Sequence, residues 1–173
     1  MDDCVIRSML EWPDVPDVYE WLRLDRRGNW RIRSESGAGS PIFGTIGNAA
    51  FNEFISRNYG ADERGCWFFQ NGPQRVFVGL DYAPLVFRLA GTELVDHCGR
   101  PARRVQAAWL DDEGSLVLQT AGGAGVLDDR DLGSLADSLG GGVFAVAGST
   151  LSVGVLNRAE MEGRFGFVRE PKP

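Results

Sequence analysis

Two widely separated stretches of this chain follow one pattern, and that pattern limits the folds open to it. Leu24-Asp25-x-x-Gly28-x-Trp30-x-Ile32 parallels Leu110-Asp111-x-x-Gly114-x-Leu116-x-Leu118. Farther on, Phe68-x-x-x-Gly72 parallels Phe144-x-x-x-Gly148. The return strands then align without a gap, with Phe77, Leu80, Asp81 and Ala83 opposite Val153, Leu156, Asn157 and Ala159. Each copy runs hairpin, Gly-rich loop, helix, hairpin, turn. Two copies are too few for a solenoid, which buries its core by stacking several neighbours. They predict an α+β fold of mainly antiparallel β hairpins with two helices, built as two similar repeats packed as lobes. The segments are an arm (1–17), a first repeat (18–91), a connector (92–108), a second repeat (109–168) and a tail (169–173).

Local signals fill in this plan. Trp12-Pro13 and Val15-Pro16 predict an extended arm before residue 17. Alternation over 19–25 and 29–33 around Gly28 predicts a hairpin with Leu22 and Leu24 on one face and Arg23 on the other. Residues 34–47 read as a fixed Gly- and Ser-rich loop. Asn48 caps the helix that follows, and Gly60 is placed to stop it. In 66–89, Trp67, Phe68 and Phe69 open a strand, Asn71-Gly72 turns it, and Asp81 to Pro84 turns again, which reads as a three-strand meander. Short strands are expected at 92–97 and 164–168, and hairpins at 105–120 and 143–156. A Gly-rich connector at 121–125 leads to a helix over 128–139, and 157–163 reads as one helical turn.

Composition narrows the partners. The net charge of −6 over 173 residues argues against a nucleic-acid footprint or a polybasic membrane patch. The acidic start Met1-Asp2-Asp3 is unlike a signal peptide, and no window is apolar for long enough to span a bilayer. Cys4, Cys66 and Cys98 are odd in number, widely spaced and free of CxxC, as expected of reduced thiols in a cytoplasmic protein.

At Asp25-Arg26-Arg27-Gly28-Asn29-Trp30, Gly39-Ser40-Pro41-Ile42 and Val78-Gly79-Leu80-Asp81-Tyr82-Ala83-Pro84 the chain resembles the bacterial domain of unknown function 1285 family, or a proteobacterial sister family. The shared features are a D-x-x-G-x-W hairpin, a G-S-P-I loop before a helix, and a D-x-A-P turn. One departure is Tyr82, which intervenes between Asp81 and Ala83 where that family's turn is usually an acidic-rich D-A-P. The resemblance implies an α+β fold of repeated motifs and a signalling role, with no established activity.

No chemistry-bearing pattern is complete. His97 is the only histidine, and strand neighbours point to opposite faces, which sets His97 and Cys98 apart. A thiol- or His-dependent enzyme would need His97 with Cys66 or Cys98. The acidic groups at 111–113 and 128–131 lack the EF-hand spacing and read as turn and cap residues. The Gly-rich loops match neither a P-loop nor GxGxxG, and no cofactor or metal is expected. The residues set aside for recognition are Arg75, Asp81, Tyr82, Trp67 and Ser40, since Arg among aromatics binds anions or forms interfaces. The expected function is a non-enzymatic module for an unknown protein or small-molecule partner, with a regulatory or signalling role. Open sheet edges also allow a homodimer, as a structural oligomer subunit.

Overall fold

The computed structural model describes residues 1–34, 41–91, 93–102, 104–146 and 149–173. By contacts the chain forms two units. The first comprises Met1–Asp25, Asn29–Asp81 and Phe167–Pro173, and the second comprises Arg26–Gly28 and Tyr82–Gly166.

The first unit opens with a helix, α1 (Asp3–Glu11), where the sequence predicts an extended arm. Pro13 biases the residue before it away from helix, so it ends a helix upstream without preventing one. The Asp2 amide donates to Asn58 Oδ1 at 2.8 Å, and Val5 is buried. Strands β1 (Val18–Leu24), β2 (Trp30–Ser34) and β3 (Ile42–Thr45) form an antiparallel meander. β3 lies inside the expected 34–47 loop, and Ser40 lies outside the described residues. Helix α2 (Ala49–Arg57) starts at Asn48, whose side-chain oxygen accepts the Phe51 amide at 3.0 Å. It ends at Asn58, whose buried amide donates to the Phe54 carbonyl at 2.9 Å. Gly60 is therefore not the stop; it sits within strand β4 (Tyr59–Ala61). Strands β5 (Trp67–Asn71) and β6 (Gln74–Leu80) make the hairpin that Asn71-Gly72 predicts. The sheet order is β3-β2-β1-β6-β5-β4, with β1 and β6 parallel.

β6 thus has a partner on each side, β5 and β1, and a strand has only two edges. For that reason the expected third strand of the meander leaves this sheet. It forms β7 (Leu85–Ala90) of the second unit, paired with β8 (Glu93–Asp96). β9 (Val105–Asp111), β10 (Leu116–Thr120) and β11 (Gly123–Leu127) follow as an antiparallel meander. β11 replaces the predicted Gly-rich connector. It runs parallel to β7, and a Cβ at Gly125 would lie 2.6 Å from the Leu85 carbonyl oxygen, so only glycine fits.

The expected 128–139 helix is broken into α3 (Asp129–Leu132), a 3-10 turn over Gly133–Leu135, and α4 (Ala136–Gly140). β12 (Val143–Val146) and β13 (Ser149–Leu156) form the next hairpin, and Ala147 and Gly148 lie outside the described residues. Asn157 caps a 3-10 turn that leads into α5 (Met161–Phe165). This helix and the left-handed Gly166 (φ 66°) stand where a last strand was expected over 164–168. What remains of that strand is a single bridge between Val168 and Cys66 in the first unit. The second sheet runs β12-β13-β9-β10-β11-β7-β8.

The repeat is present in the topology. β1, β2, β3, α2, β5 and β6 correspond to β9, β10, β11, α3 with α4, β12 and β13. Both copies end with a strand laid parallel to the strand that began them. The helical content exceeds the two expected helices because α1 and α5 lie outside the duplicated plan. The ladders also shift the return strands by one residue from the gapless sequence alignment. Arg23 pairs with Gly79, and Trp109 pairs with Gly154. In each copy a large side chain crosses the glycine: an added Cβ would lie 2.8 Å from Arg23 Nη1 or 2.7 Å from Trp109 Cδ1.

Candidate ligand-binding cleft

Neighbouring residues on β5 point to opposite faces of the first sheet. Phe69 meets Phe54 and Phe51 of α2 at ring distances of 5.4 and 6.3 Å. Phe68 faces the other way, onto Phe77 at 5.8 Å. Phe77 stacks flat on Tyr19 at 4.7 Å, and Cys66 and Val168 complete a buried cluster. Two residues along β6, on the face of Phe77, Gly79 has no side chain. The cleft opens there, with a volume of about 300 Å³. Leu22, Pro41, Phe43, Phe77 and Pro171 give it apolar walls, and Glu20, Arg23 and Glu170 give it charge.

Arg23 is the central polar group. Its Nε donates to Asp81 Oδ1 at 2.9 Å, while Nη2 and Nη1 donate to the two oxygens of Glu170 at 2.8 and 3.2 Å. The guanidinium also lies 5.5 Å from the centre of the Phe43 ring. The Glu170 hydrogen bonds, aided by Asp81 and opposed by burial, raise its pKa above the ordinary arginine value. Glu20 stands at the rim with φ 64°, where β1 shifts register against β6. That left-handed backbone costs a non-glycine residue about 1 kcal/mol.

Of the residues set aside from sequence, Asp81 supports the cleft through Arg23 and does not line it. Arg75 shares the face of Phe77 but stacks on Phe68, 4.7 Å from its centroid. Trp67 is half-buried on the α2 side, 4.9 Å from Tyr59. Tyr82 is buried within the second unit, its hydroxyl donating to Asp111. Ser40 is outside the described residues. The sequence reading missed Arg23 and Glu170. A signal for the first was present, as a charge between the core leucines Leu22 and Leu24 on a strand.

His97 and Cys98 do meet, with Nε2 and Sγ 3.5 Å apart. They sit in a turn closed by the Gly99 amide on the Asp96 carbonyl at 2.8 Å, so the strand rule that would part them does not apply. The Val86 amide donates to His97 Nδ1 at 3.3 Å. That leaves the neutral ring's proton on Nε2, which donates toward sulfur and cannot accept the thiol proton. His97 also packs on Gly28, where an added Cβ would come within 2.6 Å of His97 Cβ. Cys66 belongs to the other unit, and its thiol pKa is raised, first by burial and then by Asp62. Among the described residues, no group of three or more His, Cys, Asp or Glu could hold a metal ion. Among them too, no helix is long and apolar enough to cross a membrane.

A family model described as "Protein of unknown function (DUF2946)" matches residues 1–172. The chain belongs to this family. No curated protein matches it. Among solved structures, a DUF1285 family protein from Silicibacter pomeroyi DSS-3 is similar at 16% identity and a TM-score of 0.50, over 86% of this chain and 87% of that one. A DUF1285 family protein from Shewanella baltica OS155 matches at 17% identity and a TM-score of 0.45, over 67% of this chain and 90% of that one. The first likeness shows a shared fold. The DUF1285 resemblance read from the D-x-x-G-x-W hairpin and the D-x-A-P turn thus agrees with the fold of a DUF1285 structural neighbour, and the chain's own family is one of unknown function.

Proposed function

We propose that the protein is a non-enzymatic binding module whose first unit takes a small ligand in the Arg23 cleft, with a regulatory consequence. The observation that carries this reading is a guanidinium with 22% of its side chain exposed, set beside aromatic rings at an open cavity of about 300 Å³. Ligand sites commonly pair such apolar walls with a few placed polar groups. The test is a fragment titration of the whole chain followed by two-dimensional amide NMR. Binding in the cleft moves Leu22, Phe77 and Gly79 together. Shifts that gather elsewhere, or none at all, overturn the reading.

A second reading, a thiol-dependent enzyme, rests on the 3.5 Å separation of His97 Nε2 and Cys98 Sγ and needs the opposite tautomer to the one the Val86 amide favours. It requires a reactive thiolate near neutral pH. Alkylation of Cys98 followed against pH tests it, and a midpoint at or above the free-thiol value of about 8.5 removes it.

A further inference from the structure

We infer that Glu170 is a tethered stand-in for the ligand, and that the ligand is a compact carboxylate with an apolar body. This rests on the reading of the cleft as a ligand site. Glu170 fills the Arg23 fork with both carboxylate oxygens, the bidentate geometry by which arginine selects a planar carboxylate. Its side chain is 58% exposed, against 29% for Asp81, the fixed partner at the end of β6. The segment carrying Glu170 is held by other bonds. The Leu80 amide donates to the Arg169 carbonyl at 2.9 Å, Arg169 Nη2 donates to the Asp81 carbonyl at 2.8 Å, and the Val168 amide donates to the Gly65 carbonyl at 3.0 Å. Glu170 can therefore leave the fork while its segment stays in place.

The donor geometry favours an incoming carboxylate. The Arg23 fork only donates, so it matches a planar carboxylate and offers an ammonium no acceptor. The Phe43 ring, a potential cation seat, is already occupied by that guanidinium. A doubly charged anion would add repulsion from Asp81 and from Glu20 at the rim. The remaining walls, Leu22, Pro41, Phe43, Phe77 and the buried Pro171, fit a ring or branched hydrocarbon. Glu170 is then a built-in competitor that sets the ligand concentration at which the cleft fills.

The experiment titrates phenylacetate and benzylamine into the whole chain, as wild type, Glu170→Gln, Arg23→Lys and Arg23→Gln. The Gly79 amide, beneath Arg23, is the reporter. Phenylacetate is expected to bind Glu170→Gln roughly fivefold more tightly than wild type, since an exposed competing pair is removed. Arg23→Lys, which keeps the charge without the fork, is expected to bind weakly, and Arg23→Gln not at all. Glu170 is exposed, so its variant tests the idea even if an Arg23 variant fails to fold. Unchanged or weaker phenylacetate binding by Glu170→Gln overturns the competitor. Benzylamine moving the cleft amides in place of phenylacetate overturns the carboxylate assignment and leaves the ligand site standing. If neither probe moves those amides in any variant, both the assignment and the site fall.

Discussion

One residue-scale device recurs in both units. Asp25, Asp62, Asp96 and Asp111 each open an Asp-x-x-Gly turn, and Gly28, Gly65, Gly99 and Gly114 take φ of 79, 78, 77 and 80°. In each turn the carboxylate accepts the amide four residues on, at 2.9, 2.8, 2.9 and 2.6 Å in that order. Asp111 also takes the buried Tyr82 hydroxyl, and that ring lies between Arg26 at 4.5 Å and Arg158 at 5.3 Å. Burial first, and then Asp111, raises the Tyr82 pKa. Asp111→Ala, which strands several buried donors, should destabilise the protein by about 3 kcal/mol, and Asp25→Ala by about 1 kcal/mol, in urea unfolding. Acid should act through related carboxylates. Burial pushes Asp128 up, but Arg130 and then Arg88 outweigh it and hold it at about 2 against 3.8. Asp131, lowered chiefly by the Arg88 hydrogen bond, and Asp62, where bonds from Cys66 and Arg64 overcome burial, also lie below 3.8. A lowered carboxylate contributes its full stability above its unfolded value and loses it as the pH falls through the folded one. The midpoint urea concentration should therefore stay level down to about pH 4 and fall steeply toward pH 2. A flat profile over that interval would refute these pairings.

At the scale of elements, Gly125→Ala should destabilise the β7–β11 pairing by about 2 kcal/mol or more, because the new methyl meets a backbone carbonyl that cannot rotate away. Thermal unfolding would measure it, and an unchanged midpoint would contradict the parallel register. The same glycine shows what the sequence could and could not reveal. Hairpins marked by Asn71-Gly72 and by the Asp25 and Asp111 turns were legible, because turn chemistry is local, whereas the 62–65 turn was read as a loop and its hairpin was missed. So was the Asn48 cap. β11 was hidden because its glycines satisfy a partner strand far away in sequence and carry no β propensity. The switch of β7 into the second sheet was hidden because it depends on β1 taking the free edge of β6, a contact no local pattern records. Around the candidate cleft, the sequence singled out Asp81, which bonds Arg23 without lining the cavity, and passed over Arg23 itself. Its signal, a lone charge on a buried strand, needed Glu170 and Phe43 to become a site, and these are distant in sequence.

At the scale of the whole molecule, the units are interleaved along the chain. The first contains Phe167–Pro173, after the second has been completed. Phe167 is buried, and Arg169 holds the end of β6. Removing 167–173 should destabilise the first unit by about 3 kcal/mol, as expected for one buried aromatic and a few hydrogen bonds. Hydrogen exchange would show β6 amides opening faster while β9 and β10 keep their protection. Equal loss in both sheets would argue against the division. The return of this segment also sets an order of assembly. On a chain synthesised from one end, the unit begun first is finished last, since the Leu80–Arg169 pairing must wait for the second unit to emerge. Until then Cys66, Phe77 and Arg23 lack the partners that Val168 and Glu170 give them, and incomplete units of this kind expose the apolar surface that chaperones and proteases act on.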